Sequence, residues 1–127
     1  MIEALFNQTN YVAAKKCLDV IQLRSEAIAG NIANLETPGY KRLDVAPAFS
    51  AELERACAAG SPQAIAALHP TLAPDPSAAA LSPDGNTVNL ESELVAMNKN
   101  NLAHTLETQL VTGSLMRLRL AITGKGL

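Results

Sequence analysis

Aromatic residues are nearly absent from this sequence. Phe6, Tyr11, Tyr40 and Phe49 are the only four in 127 residues, and there is no tryptophan. That leaves no platform on which the bases of a single-stranded nucleic acid could stack. Charge is also scarce, at 17% of residues and a net of −2, so the basic footprint that binds phosphate backbones is missing. No apolar run approaches the roughly 18 residues that suggest a membrane-spanning helix. The two cysteines, Cys17 and Cys57, do not make a disulfide framework and are expected to be small buried hydrophobes. The opening Met1-Ile2-Glu3-Ala4-Leu5-Phe6 has neither a basic start nor a long apolar stretch, so a cleavable secretory signal is not expected there. What the chain does have is 48% apolar residues, too many for wholesale disorder, in a length that suits a single unit over residues 1–127.

Those apolar residues are arranged mainly as two helical stripes. From Tyr11, steps of three and four run through Ala14, Leu18, Ile21, Ser25, Ile28, Ile32 and Leu35, with Lys15, Lys16, Asp19, Gln22, Arg24 and Glu26 between them. This heptad spacing predicts a long helix over 9–35 that docks on a partner helix. Thr9 or Asn10 is the expected N-cap. Asn34 is a candidate left-handed end, and Thr37-Pro38-Gly39 a turn that the helix cannot cross. A second helix is predicted over 89–123, with Asn89 as N-cap and Glu91 and Glu93 compensating the positive end of its dipole. Its stripe runs Leu90, Leu94, Met97, Asn101, His104, Thr108, Val111, Leu115, Leu118, Ile122, and Leu102, Leu106 and Leu110 form another row with Val95. The polar trio Asn101, His104 and Thr108 either fixes register within the seam or marks where the Leu102 row turns inward, and the second reading is preferred. Arg117, Arg119 and Lys125 suit the negative end, with Gly124 as the stop. Gly113, in the helix interior, suggests a close backbone approach.

Between the helices, residues 36–88 hold the turn and a Pro/Ala-rich, partly irregular segment. Six of the seven prolines are Pro47, Pro62, Pro70, Pro74, Pro76 and Pro83. A short helix is expected over Ala48 to Ala58 with Phe49, Leu53 and Cys57 on one face, and another turn or two after the Ser61-Pro62 start. His69 to Asp84 shows no periodicity and predicts a loop without core, and Asp84-Gly85-Asn86 a turn. No period-two strand pattern stands out. The fold class is therefore all-α, with two long terminal helices pairing as a coiled coil or bundle.

Catalytic chemistry finds little to work with. His69 and His104 are the only histidines, and His104 with Glu107 offers at most half a metal site. The glycines form no phosphate-cradling loop, and Glu91 and Glu93 point to different helix faces. No catalytic, cofactor-binding or metal-ligating residues are expected, and no enzyme. Two helices cannot cover two-sided stripes alone, which points to self-association or assembly with other chains.

The segment Asn31-Ile32-Ala33-Asn34, followed by Thr37-Pro38-Gly39-Tyr40-Lys41, resembles the N-terminal signature of bacterial flagellar axial proteins, the rod and hook family. The block Asp84 to Met97 and the run Leu118 to Gly124 resemble its proximal rod members. Asn101-Leu102-Ala103-His104 stands where that family often has Gln-Leu-Arg-Tyr. The resemblance implies a structural, non-catalytic subunit of the basal-body rod that polymerises through its terminal helices to transmit torque. It implies export through the flagellar type III secretion channel, a periplasmic rod location, and partners among other rod proteins, copies of itself and a base-plate adaptor near the membrane ring. The assembly motif would be Asn31, Ile32, Ala33, Asn34, Thr37, Pro38, Gly39, Tyr40 and Lys41, ending the helix and aiming the chain outward with Tyr40 on a neighbour. The seams would be Leu18, Ile21, Ile28, Ile32, Leu90, Leu94, Met97, Val111, Leu115, Leu118 and Ile122. A small helical adaptor or secretion chaperone, working as a soluble dimer, is the alternative, and a dimeric four-helix metalloprotein a more remote one.

Overall fold

The computed structural model describes residue 6 and residues 8–80 and 82–124; Lys125 lies outside them. Helix α1 spans Thr9–Ala33, about 37 Å at 1.5 Å per residue, and helix α4 spans Leu90–Thr123, about 51 Å. They pair along their length. Asn31 near the end of α1 meets Glu93 near the start of α4, and Ile21 meets Asn100, so the two run antiparallel. The C-terminal end of α4 is closed by Gly124 at φ 65°, a left-handed stop that a residue with Cβ resists. Asn89 caps the other end, its side chain accepting from the Ser92 N–H at 2.9 Å.

The middle segment folds onto α1 beside α4, the Asn31 amide reaching both Leu43 and Glu93. Strand β1 (Leu43–Val45) pairs antiparallel with β2 (Leu72–Pro74), Asp44 opposite Ala73. Helix α2 (Pro47–Ala58) and helix α3 (Pro62–Ala67) lie between the strands in sequence. Ser61 caps α3 by accepting from the Ala64 N–H, and Pro62 takes the first helical position, where no donor is needed. The core is small: Ala14, Ile21, Ala27 and Ile28 of α1 are buried together with Val45, Phe49, Ala56, Ile65 and Val88. Ile65 has no exposed surface at all. Burying a side chain of that size contributes roughly 1.5–3 kcal/mol.

Several expectations change here. The two strands were not visible as a pattern because three residues are too few to show a period, and Pro74 argues against a strand unless it sits at an edge. None of the described residues between 69 and 84 is buried, yet part of that loop is ordered by pairing. Cys57 is exposed rather than buried, because the inward face of α2 is Phe49 and Ala56. Thr9 does not cap α1. Gln8 takes the cap position without a side-chain bond, and the Thr9 hydroxyl donates to the Gly60 carbonyl at 3.3 Å, tying α1 to the end of α2. No atom lies within 4 Å of a Cβ built on Gly113, so close approach does not explain that glycine.

Candidate assembly interface

The helix-ending motif is held by three asparagines, each using its amide where the backbone would otherwise lack a partner. Asn31 is fully buried; its Nδ2 donates to the Leu43 carbonyl at 2.9 Å, and its Oδ1 accepts from the Leu43 N–H at 2.9 Å. One side chain thus substitutes for a strand neighbour and fastens β1 to α1. Asn34 donates to the Gly30 carbonyl at 2.8 Å and accepts from the Thr37 hydroxyl at 3.1 Å. Its φ of −106° is not left-handed, contrary to expectation. The reason lies across the chain: the Nδ2 of buried Asn86 reaches the carbonyls of Asn34, Leu35 and Thr37 at 2.8–3.0 Å, so these end-of-helix acceptors are satisfied without a left-handed residue.

The chain then turns back onto α1 and not outward. Gly39 supplies the positive φ, 70°, that the reversal needs. Its N–H donates to the Asp84 carbonyl, and the Thr87 N–H donates to the Tyr40 carbonyl. Lys41 donates to the Gly85 carbonyl at 2.9 Å. Tyr40 is half-buried against its own helix; its hydroxyl donates to Asn31 Oδ1 at 3.4 Å and lies 3.8 Å from a Cβ built on Gly30. Of the motif residues, Ala33, Thr37, Pro38, Gly39 and Lys41 are exposed and Ile32 is half-buried.

Beside this motif lies an ionic network whose centre is Arg42. Its guanidinium donates to Glu93 at 2.6 Å, to Asp75 at 2.9 Å and to Asp44 at 3.1 Å, and Arg24 donates to Asp44 at 3.0 Å. The five residues come from α1, the β1 approach, β1, the end of β2 and α4, so one cluster ties both long helices to the strand pair. Burial alone would lower the Arg42 pKa, but the bonds to Glu93 and Asp44 override it and raise it. Burial would likewise raise Asp44, but the Val45 N–H and Arg24 hold its carboxyl below the usual range. Asp75 is held low by the Ser77 hydroxyl and N–H, with Arg42 adding to them. Glu93 does not act as an exposed dipole partner: it is fully buried, accepting from Arg42 and from Asn31 at 3.2 Å. A carboxylate on a helix that also carries many leucines gave no sign in the sequence that it, and not a leucine, faces inward.

Indeed α4 presents its polar and small residues to α1. Only Glu93 and Asn100 are buried on it, with Ala96, Ala103, Glu107, Val111, Ser114 and Leu118 half-buried along the same face. The Asn100 amide donates to the Ile21 carbonyl at 2.9 Å and to the Ser25 hydroxyl at 2.8 Å, bonds that fix the rotation of the helix. Burial is the main cause that raises the Cys17 thiol pKa, and the facing Glu107 carboxylate adds to it. The seam expected on α4 therefore splits. Val111 and Leu118 are half-buried, whereas Leu90, Leu94, Met97, Leu115 and Ile122 are exposed. On α1, Ile21 and Ile28 are buried and Leu18 and Ile32 half-buried. Leu102, Leu106 and Leu110 do not turn inward; they are 62, 53 and 60% exposed, and Asn101, His104 and Thr108 are exposed as well. Eleven of the twelve large apolar side chains exposed among the described residues lie on α4.

Two grooves accompany this surface. One is lined by Ser25, Ile28, Ala29, Ile32 and Ala33 of α1 and Met97 of α4. The other, at the far end of the pair, is lined by residues including Phe6, Tyr11, Leu115 and Leu118. Among the described residues, no group of three His, Cys, Asp or Glu side chains is placed to hold a metal ion, and no helix is long and apolar enough to cross a membrane.

No protein-family model matches the sequence. Curated relatives do. The chain is 32% identical to the flagellar basal body rod protein FlgB of Cereibacter sphaeroides, covering 82% of this chain and 86% of that protein. It is 28% identical to FlgB of Escherichia coli K12, over 80% and 83%. A 43-residue stretch is 56% identical to FlgB of Borrelia hermsii, and that match spans only 30% of the relative's length. The match over most of the chain favours a rod subunit over a soluble adaptor. At that 32% identity over most of both chains, the chain belongs to the FlgB family of flagellar basal body rod proteins.

Proposed function

The chain is a structural subunit of the flagellar rod, and we propose that it polymerises through the outer face of α4 and the uncovered edge of α1 to carry torque. The observation that supports this is the orientation of α4. Its polar stripe is spent on α1, while its leucines stand in two rows on either side of that contact. An apolar helix face of this extent, left in water, is a docking surface for other helices. On this reading the seam residues Leu90, Leu94, Met97, Leu115 and Ile122 meet neighbours, while Val111 and Leu118 lie against α1. The motif from Asn31 to Lys41 acts from inside, by setting where α1 ends and holding the middle segment on it. Residues 9–35 and 89–123 form the axial part and 36–88 a brace at its side. The partners would be other rod proteins, further copies and the base-plate adaptor near the membrane ring, met in the periplasm after passage through the export apparatus. The subunit would carry out no catalysis.

Sedimentation of the purified chain over a wide concentration range tests this. The expected result is association that rises with concentration and is lost in a Leu106→Asp, Leu115→Asp double variant whose melting curve and helicity match the parent at low concentration. A parent chain that stays monomeric at the highest concentrations, alone and with other rod subunits, would remove the basis for the reading.

A further inference from the structure

The two faces left open on this molecule are complementary to each other. On α1, Ser25, Ala29 and Ala33 form a row of small exposed residues four apart, bounding the groove floored by Ile28 and Ile32 and flanked by Met97. On α4, Leu102, Leu106 and Leu110 form a row of large exposed residues, also four apart. Rows at i±4 on one helix settle into the furrow between such rows on another, and the fit is best where large side chains meet small ones. Within one molecule the two rows cannot meet, because the Asn100 bonds to α1 turn the leucine row away. We infer that the Leu102–Leu106–Leu110 ridge of one copy seats in the Ser25–Ala29–Ala33 groove of the next, antiparallel, with Leu106 opposite Ala29. This rests on the polymerisation reading above and gives it a register.

Two independent features select that register. The first is direction. Copies repeated along a filament keep a common orientation, and α1 and α4 are antiparallel inside each copy. The α4 of one copy must therefore run antiparallel to the α1 of its neighbour. The second is charge. With Leu106 opposite Ala29, counting outward in opposite directions brings Lys99 to the level of Glu36, in the turn that follows α1. Both are exposed. An opposite charge pair at one end of an apolar ridge favours this register, while a parallel docking would place Lys99 at the level of Gln22 and lose the match. Ridge and groove are different surfaces of the same chain, so the contact is head-to-tail and each joined copy still offers one free ridge and one free groove. Such a contact does not close at two.

Bismaleimide cross-linking in a chain carrying Cys17→Ser and Cys57→Ser tests the register. Adding both Ala29→Cys and Leu106→Cys should yield a ladder of dimers, trimers and higher species. Mixing the two single variants should yield dimers alone, and Leu106→Cys with itself should link weakly. Glu36→Lys should weaken association by roughly tenfold, and Lys99→Glu combined with it should restore most of the loss. Association by sedimentation without the Ala29–Leu106 ladder would overturn this register while leaving polymerisation standing. A ladder that stops at dimers would overturn the head-to-tail geometry. Linkage only when a different rod subunit is added would show that the groove takes a partner other than a second copy. Absence of any association, with or without that subunit, would instead defeat the parent reading.

Discussion

Helices α1 and α4 have similar apolar content and heptad-like spacing, yet they occupy opposite situations. α1 is covered on two sides, by α4 and by the β1, β2 and α3 layer, and buries Ala14, Ile21, Ala27, Ile28 and Asn31. α4 is covered on one side and buries a glutamate and an asparagine. The difference teaches that hydrophobicity did not decide which face of α4 turned inward. A polar lock did: Glu93 and Asn100 are each paired to groups on or beside α1, and desolvated polar groups tolerate one rotation where leucines tolerate many. Stability of the subunit and availability of its leucines for neighbours are thereby placed on separate residues.

The largest expected break in that comparison is Arg42→Ala. It leaves Glu93 buried without its charge partner, a change that typically costs about 3–5 kcal/mol, and should lower the chemical-denaturation midpoint sharply. Leu106→Ala, on the exposed row, should move the same midpoint by no more than about 0.5 kcal/mol. Equal effects of the two would contradict the division between lock and ridge. Ile28→Asp belongs with the first class, since Ile28 is 3% exposed and its loss would unfold the subunit before assembly could be judged.

An intermediate effect is expected from acid. Asp44 and Asp75 have folded pKa values below their unfolded ones, so the unfolded state binds more protons as pH falls. Their contribution is complete above the ordinary carboxylate range near pH 4 and is lost as pH drops through the lower folded values. Melting temperature followed from pH 6 to pH 2 should therefore fall on the acid side. Asp75→Asn should flatten part of that slope, and an unchanged slope would show that Asp75 contributes nothing to the lock.

The smallest effect separates the two cysteines without altering the fold. Exposed Cys57 should react with iodoacetamide at pH 8 several-fold faster than Cys17, which is half-buried and whose pKa burial and Glu107 raise. Mass spectrometry after brief labelling reads the ratio, and comparable rates would mean that α1 and α4 separate readily at that level.

Much of the architecture was legible because it rests on local rules. Both long helices follow from three-and-four spacing, the Asn89 and Ser61 caps from side chains that can accept a backbone N–H, and the stops from Pro38, Gly39 and Gly124. What was not legible depends on partners distant in the chain. The left-handed end expected at Asn34 is unnecessary because Asn86, 52 residues later, reaches its carbonyl. The strands exist because Leu43–Val45 and Leu72–Pro74 find each other, which no three-residue window can announce. Glu93 looked like a dipole partner because its charge is visible in sequence and its burial beside Arg42 is not.

The order of amino acids determined by itself that this chain makes two long amphipathic helices ended by a Pro-Gly turn and a glycine stop, since spacing and backbone conformation are properties of neighbours. Tertiary structure alone decided which face each helix hides. That choice depends on whether Glu93, Asn100 and Asn31 can keep their hydrogen bonds once water is gone, and only the assembled layers supply the partners.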